Sequence, residues 1–485
     1  MKRRIGFFSS IVVVSFLLLN GCASFNKSHT TNFANQQVLI HQGQSDVVAL
    51  KLEKKAKKGG RNSVLYALEA GYIYLFQKNY EKSKELFEVA LTRINNYEMR
   101  AKVTARGVGS GIKAAFGNDM ELPYKGLMFE KIMVNTFQAI NYLFLKDIEG
   151  ANVEIRRAEL RQQEAVDKHQ KELKKLEEMK EKKNVDNRSV DSVLSNYSVL
   201  DEYSSKVVNS FQNGFTYFLG GLVYELNNLK NDAYIDYKKS FNLYKNKVTL
   251  EKLILLGNKL NMTEDIGKWG GLYKELYHSD TDELIKSSSA LSDSGEVIII
   301  KFSGMVPKKI QQKFSLWTYK KSFNVAFPFY QKDGFYYKNE YVKLNIDGND
   351  YGDTEVAVDF IPIVTKALKE QMPGIITRQA IRLVAKNLSE SQAEKRGGLL
   401  GELLMKVVNK ATERADLRGW YELPANISVL SKKVPSGNQK LTLDFYSGDY
   451  KDKSEDMDVF VRKGGCTVVI IQDMSGSTTI HKLEL

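Results

Sequence analysis

Three stretches of this 485-residue chain repeat one spacing of small and aromatic residues, and that spacing restricts the fold more than any other feature. Gly71, Tyr74, Ser83, Phe87 and Ala90 stand at relative positions zero, three, twelve, sixteen and nineteen. Ala139, Tyr142, Ala151, Ile155 and Ala158 repeat those intervals, and Gly221, Tyr224, Ala233, Tyr237 and Ser240 repeat them again. Small residues at zero, twelve and nineteen let two antiparallel helices approach closely, while the bulky residues between them fill the gap. The spacing predicts three helical hairpins in the first half of the chain.

This pattern resembles the tetratricopeptide repeat, a helix-turn-helix unit that recurs in arrays about every 34 residues. Here the copies are roughly seventy to eighty residues apart, so insertions are expected between them. One insertion reads as a long helix from Ala151 to about Lys183, with Val166, Leu173, Leu176 and Met179 along one stripe and Glu178 placed to pair with Lys182.

The period changes after Ser279. HSDTDELIKSSSALSDS loses apolar periodicity and gathers Ser and Asp, which reads as a linker over 281–295. Beyond it, Val297 to Ile300 and Val325 to Tyr330 read as buried strands, and Val342 to Ile346 alternates as a half-exposed one. Three helical faces follow: Ile361, Val364, Leu368 and Met372; then Ile376, Ala380, Leu383 and Leu388; then Leu400, Leu403, Val407 and Ala411. Alternation around Pro435-Ser436-Gly437-Asn438 and around Gly464-Gly465 predicts two closing hairpins. Early and late strands are expected to pair. The expected fold is multidomain: tetratricopeptide-like helical hairpins over 51–280, then an α+β domain with a mostly antiparallel sheet over 296–485.

The N-terminus sets the expected location. Lys2, Arg3 and Arg4 precede an apolar run from Ile11 to Leu19, the layout of an export signal over residues 1–21. Leu19-Asn20-Gly21-Cys22 resembles the bacterial lipobox, which implies acylation of Cys22, and Ala23 implies outer-membrane rather than inner-membrane retention. Residues 22–50 are then a lipidated tether, polar and flexible from Ala23 to about Gln44. If Cys22 carries lipid, Cys466, the remaining cysteine, has no internal disulfide partner. The formal charge is +13, of which three charges leave with the signal, and the run KLEKKAKKGGR from Lys51 to Arg61 is dense in cations. Such a balance suits anionic headgroups, acidic wall polymer or an acidic protein. The run is equally a solvated helix face ending at Gly59-Gly60. Nucleic acid is not expected as a partner of an exported chain.

Three further segments carry a family resemblance. LPYKGLMFEKIMVNTFQAINYL (Leu122 to Leu143), VIIIKFSGMVPKKI (Val297 to Ile310) and ADLRGWYELPANI (Ala415 to Ile427) look like hallmarks of a large uncharacterised family of bacterial lipoproteins. The resemblance implies a tetratricopeptide-like N-terminal half, a distinct C-terminal domain and company with small lipoproteins that activate peptidoglycan synthases. It brings no reaction and no cofactor with it.

Chemistry by motif is sparse. His29, His41, His169, His278 and His481 stand far apart, against a zinc site, and no nucleophile elbow with a matching His and acid is present. Gly107-Val108-Gly109-Ser110-Gly111 resembles a phosphate loop but lacks its closing Lys-Ser or Lys-Thr, and reads as a connector. Glu130 is the acid of interest within a hallmark segment; it is either a functional carboxyl or a charge at a helix N-terminus or beside Lys125 or Lys131. Asp416, Arg418 and Trp420 form either a recognition patch or a structural clasp. Tyr72, Tyr74, Tyr142, Tyr217 and Tyr224, together with Arg418 and Trp420, are the expected partner-binding residues, since tyrosine and arginine favour interfaces. The expected role is a lipid-anchored scaffold, not an enzyme, with an envelope protein as partner and peptidoglycan or anionic lipid as further contacts. An envelope enzyme acting on peptidoglycan or another glycan is the alternative, and it requires paired carboxylates in a cleft between the halves.

Overall fold

The computed structural model describes residues 29–105, 120, 122–182, 187–317, 322–331, 340–396 and 414–485. Cys22, the glycine-rich connector at Gly107 to Gly111, the face from Leu400 to Ala411 and the side chains of the Val166 to Met179 stripe lie outside the described residues.

The helical half contains the three predicted hairpins: α3 (Ser63–Phe76) with α4 (Tyr80–Ala105), α5 (Met128–Phe144) with α6 (Ile148–Lys182), and α9 (Gly214–Leu226) with α10 (Lys230–Leu243). The repeated spacing works sterically. A Cβ placed on Gly71 would stand 2.7 Å from the Phe87 ring, and one on Gly221 would stand 2.6 Å from the Tyr237 ring. Where Ala139 takes the zero position, the residue at sixteen is the smaller Ile155.

All three turns are closed identically. Lys78, Lys146 and Asn228 adopt φ of 60, 61 and 58°, and the next residue's N–H reaches back to the carbonyl of Tyr74, Tyr142 or Tyr224 at 2.8–2.9 Å. The same closure, through Asn261 (φ 56°), joins α11 (Lys247–Lys259) to α12 (Thr263–Tyr277) in a fourth hairpin. Its spacing is inverted, with Ile254 at zero and Gly257 at three, so the small-aromatic template passes over it. Asn213 and Asn246 cap α9 and α11, each accepting a 2.8 Å bond from the backbone of a Thr three residues on.

Two expected loops are helical. Residues 29–41, read as flexible tether, form α1 (His29–His41), which turns at Gly43 into α2 (Ser45–Lys58). Phe33 and Ile40 are buried, and these two residues anchor an otherwise polar helix whose composition resembled a tether. The lysines of α2 lie mostly on its exposed side and the helix ends at Gly59 (φ 89°), which fits the solvated-face reading of the basic run. The expected linker contains α13 (Thr281–Ala290), capped by Asp280, which accepts bonds from the N–H groups of Asp282 and Glu283. Short α7 (Asn187–Ser195) and α8 (Asp201–Ser204) connect the second and third hairpins.

The C-terminal half carries three sheets. A five-stranded sheet has the order β11-β10-β1-β7-β6 and a four-stranded sheet the order β5-β4-β8-β9, while β2 (Ile310–Trp317) and β3 (Ser322–Phe329) form a ribbon. Pairing is antiparallel except between β1 (Ser294–Ser303) and β10 (Cys466–Met474), and the early strands do pair with late ones. Strand β4 (Glu340–Ile346) alternates as expected, with Val342, Leu344 and Ile346 buried. The first two predicted helical faces merge into one helix, α14 (Phe360–Arg396), with Pro373 inside it.

The two predicted hairpins are not formed. After β7 (Asn426–Pro435) the chain crosses at Gly437 (φ 110°) from the five-stranded to the four-stranded sheet as β8 (Gly437–Ser447). After β9 (Tyr450–Val461) it crosses back at Gly464-Gly465. Strand β7 is already flanked by β1 on one side and β6 (Glu355–Asp359) on the other, so its successor has no free edge to join. The return crossing is tight: a Cβ on Gly295 would stand 2.4 Å from the Arg462 carbonyl. Besides the β2–β3 ribbon, short turns join the antiparallel neighbours β4 to β5 (Asn349–Asp353) through Asp347-Gly348, β10 to β11 (Ser477–Glu484) through Ser475-Gly476, and β8 to β9 through Gly448-Asp449. In the first two, both turn residues have positive φ, the geometry that suits strand twist.

Among the described residues one large apolar core runs through both halves, beside a small cluster of Ile132, Ala158, Ala165 and Phe211. Phe137 of α5 meets Phe302 of β1 at 5.7 Å and Trp420 at 5.7 Å, and Phe215 of α9 meets Phe302 at 6.1 Å. A Cβ on Gly214 at the start of α9 would stand 2.5 Å from the Ala357 carbonyl of β6, so this glycine sets the approach of helix to sheet.

Candidate functional site

The three hallmark segments, far apart in sequence, converge at one junction. Glu130 lies at the third residue of α5 and is 1% exposed. Its carboxyl accepts the Leu127 N–H at 2.6 Å, which satisfies the helix N-terminus, and the Tyr124 hydroxyl at 2.6 and 2.7 Å. It also accepts the Trp420 N–H at 2.9 Å. Glu130 therefore serves both the helix start, as one reading of its sequence context has it, and the joint between halves. Lys131 pairs instead with Glu98, at 2.6 Å.

Arg418 extends this joint. Its guanidinium pairs with Asp416 at 2.6 Å and donates to Asn62 Oδ1 at 3.0 Å and the Leu122 carbonyl at 2.9 Å. Burial pushes the Asp416 carboxyl up, but the adjacent guanidinium outweighs it and holds it below the usual carboxylate range. Lys309, from the second hallmark segment, donates Nζ to the Arg418 carbonyl at 3.0 Å, and its own N–H bonds the Tyr421 hydroxyl at 3.1 Å. The Trp420 indole sits among Tyr72, Phe87 and Phe137, with ring centroids 5.7–6.1 Å apart. The clasp reading of Asp416, Arg418 and Trp420 is the one this geometry supports.

Beneath the clasp lies a pair of acids between the halves. Glu69 of α3 and Glu422 are 0% and 1% exposed, and neither carboxyl has a hydrogen-bond partner among the described residues. Burial raises both above the ordinary carboxyl range, and the charge of Glu422 adds to the rise at Glu69. His29 Nε2 lies 3.2 Å from Glu69 and 3.0 Å from the Gly419 carbonyl, with its pKa lowered to about 4 by burial. A glycan-cleaving reading calls for paired carboxylates open to a cleft between the halves, whereas Glu69 and Glu422 are buried in this structure.

The expected partner-binding side chains divide sharply. Tyr72, Tyr74, Tyr217, Tyr224, Trp420 and Arg418 are between 1 and 6% exposed and offer no surface to a partner in this conformation. Two of them, Tyr74 and Tyr224, stand at position three of the repeat and reach an earlier helix. Tyr74 donates to Glu53 of α2 at 2.5 Å, and Tyr224 donates to Glu159 of α6 at 2.8 Å. Tyr217 lies under Lys239, whose Nζ is 4.9 Å from the ring centroid.

Tyr142 differs. It is half-exposed, its hydroxyl has no hydrogen bond among the described residues, and it opens onto a groove of about 760 Å³ between α4 and α5. Glu81, Lys84, Glu85, Glu88 and Arg93 line the groove together with Val89 and Gln138, and Lys84 Nζ stands 5.3 Å over the Tyr142 ring. A groove of interleaved charges around one free aromatic can bind a peptide-like ligand through ion pairs at its rim and ring contact at its centre.

A second contact fixes the turn ends of the array. Tyr80 bonds His481 Nδ1 of β11 at 2.9 Å and stacks on Phe144 at 4.7 Å, while His41 Nδ1 bonds the Ser475 carbonyl at 2.8 Å. Burial lowers the His481 pKa to about 3. Lys252 of α11 ties the far side by pairing with Glu225 at 2.6 Å and with Glu296 of β1 at 2.7 Å.

No family model matches the chain, and no curated protein matches it. Solved structures give partial matches, each over 53% of the chain. They include the TPR2AB-domain:pHSP90 complex of yeast Sti1 (12% identity, 96% of that chain, TM-score 0.19) and Acl4, an assembly chaperone of RpL4 (10% identity, 94% of that chain, TM-score 0.20). A tetratricopeptide repeat protein from Parabacteroides merdae matches at 13% identity over 96% of its chain, with a TM-score of 0.14.

Proposed function

We propose that the protein is a lipid-anchored scaffold of the cell envelope that takes a protein partner in the groove between α4 and α5. One observation carries the reading: among the position-three tyrosines, the hydroxyls of Tyr74 and Tyr224 are tied to a carboxylate of an earlier helix, whereas that of Tyr142 is left open at a charged groove. Tyr142 packs against the core and against Gly150 along part of its ring, but its hydroxyl and its groove-facing side remain available to another molecule. The C-terminal half braces the array at its junction end through the clasp and at its turn ends through β11. Anchorage through Cys22, an outer-membrane address facing the periplasm and a link to peptidoglycan synthesis belong to this proposal and rest on the N-terminal sequence and the family resemblance.

The test is crosslinking in cells followed by capture from solubilised envelopes, comparing the parent with Tyr142→Ala combined with Arg93→Glu. Loss of one specific partner with unchanged protein level and melting supports the groove. An unchanged set of captured partners overturns it. Fractionation of a Cys22→Ser form tests the anchor separately, since that form is expected to leave the membrane fraction.

A further inference from the structure

The end of the molecule where the chain leads back toward Cys22 also gathers cations that have no ion pair among the described residues, although Arg61 donates to the Met120 carbonyl at 3.5 Å. Helix α1 begins at the clasp: His29 meets Gly419, and the adjacent Arg418 donates to Asn62, four residues past Lys58. His29 is fixed there by its bond to the Gly419 carbonyl and by stacking on Tyr421 at 5.5 Å. Arg61 follows α2, and its carbonyl accepts the Tyr124 N–H at 2.7 Å, which places Lys125 beside it. Lys308 Nζ stands 5.8 Å over Phe33, one turn into α1.

Lys58, Arg61, Lys125 and Lys308 are all exposed, and none has an ion pair among the described residues. Among the described residues, the acids Glu53, Glu98 and Asp416 are engaged elsewhere: Glu53 with Lys57 and Tyr74, Glu98 with Lys131, and Asp416 with Arg418. Leu122, 38% exposed, adds an apolar side chain at the same end.

We infer that this end, carrying Lys58, Arg61, Lys125 and Lys308, is a docking face for an anionic lipid surface. The inference rests on the lipid-anchor part of the proposed function and adds an orientation to it. Seven peptide steps separate Cys22 from His29 and span at most about 25 Å when fully extended. A bilayer holding the acyl chains is therefore within that reach of this end, and charges interact with it once the gap closes to about a Debye length, roughly 10 Å. Anionic headgroups match the four cations, and the short reach favours lipid over a more distant acidic polymer.

The test uses the chain from residue 22 onward carrying Cys22→Ser, so that neither acyl chains nor the apolar run from Ile11 to Leu19 contributes. Co-flotation is measured with vesicles of phosphatidylcholine alone and of phosphatidylcholine mixed with phosphatidylglycerol. The protein is expected to float with the mixed vesicles only, and to be released as salt is raised. Reversal of the four cations (K58E, R61E, K125E, K308E) is expected to weaken partitioning at least about a hundredfold, as one cation near such a surface contributes about fivefold. A control reversing Lys230, Lys274 and Lys286 on later helices is expected to lose far less.

Equal binding to neutral vesicles, equal loss in the control, or full binding by the fourfold variant would each overturn the face. Salt-sensitive binding to isolated cell wall, lost in the fourfold variant and absent on vesicles, would reassign it to an acidic polymer. The anchor fails by a different result: Cys22→Ser protein that remains as firmly in the membrane fraction of cells as the parent.

Discussion

Replacing Glu130 separates a structural carboxyl from a chemical one. The Ala variant strips the acceptor from three donors, the Tyr124 hydroxyl and the N–H groups of Leu127 and Trp420, of which Tyr124 and Trp420 are buried. A buried donor left without a partner costs about 1–3 kcal/mol. The three share one acceptor and so do not add fully; the expected loss is about 3–5 kcal/mol. Glu130→Gln keeps one oxygen but turns an amide N–H2 toward donors, for an expected loss of about 1–2 kcal/mol. Urea unfolding followed by tryptophan fluorescence and by far-UV circular dichroism gives both numbers. Because Trp420 and the helices of the array share a core, the two signals are expected to shift together. An Ala variant with the parent's midpoint, or a shift confined to one signal, would refute the view that this carboxyl joins the halves.

Three further outcomes follow from packing and protonation. Gly221→Ala and Gly71→Ala place a methyl within 2.6 and 2.7 Å of an aromatic ring and are expected to destabilise by about 1–3 kcal/mol, despite alanine's better helix propensity, as read by denaturant midpoints. His29 and His481 have folded pKa values of about 4 and about 3, below their unfolded value near 6.5, so the unfolded chain binds more protons as pH falls. Stability from these groups is complete above about pH 6.5 and declines below it by up to about 1.4 kcal/mol per pH unit for each. Replacing His481 with Asn is expected to flatten that decline; an unchanged slope between pH 6.5 and 4.5 would show that His481 does not remain neutral. The raised carboxyls of Glu69 and Glu422 act with opposite sign, their contribution being present at low pH and lost as pH rises, so Glu422→Gln is expected to gain more stability at pH 8 than at pH 5.

The helical hairpins were legible in the sequence because each is local. The contacts that define one, Gly71 on Phe87 or Gly221 on Tyr237, lie sixteen residues apart and leave a fixed spacing of sizes. Single strands were legible for the same reason, since alternation such as that from Val342 to Ile346 records which face is buried. The fourth hairpin escaped because it packs with its small residue displaced to Gly257, although its turn at Asn261 is the same. Helix α1 escaped because two apolar contacts suffice to hold a polar segment once a body exists for it to pack on.

What only the tertiary structure decided is which strand neighbours which, and which side chain faces water. Strand β8 leaves the sheet of β7 because both edges of β7 are filled by β1 and β6, distant segments whose arrival no local pattern encodes. Trp420, Arg418 and four of the five tyrosines had the residue types of an interface, and an interface is what they form, but between parts of this chain. Composition specifies the chemistry a side chain offers; the long-range packing of Glu130, Lys309 and Arg418 into one joint determines to whom it is offered.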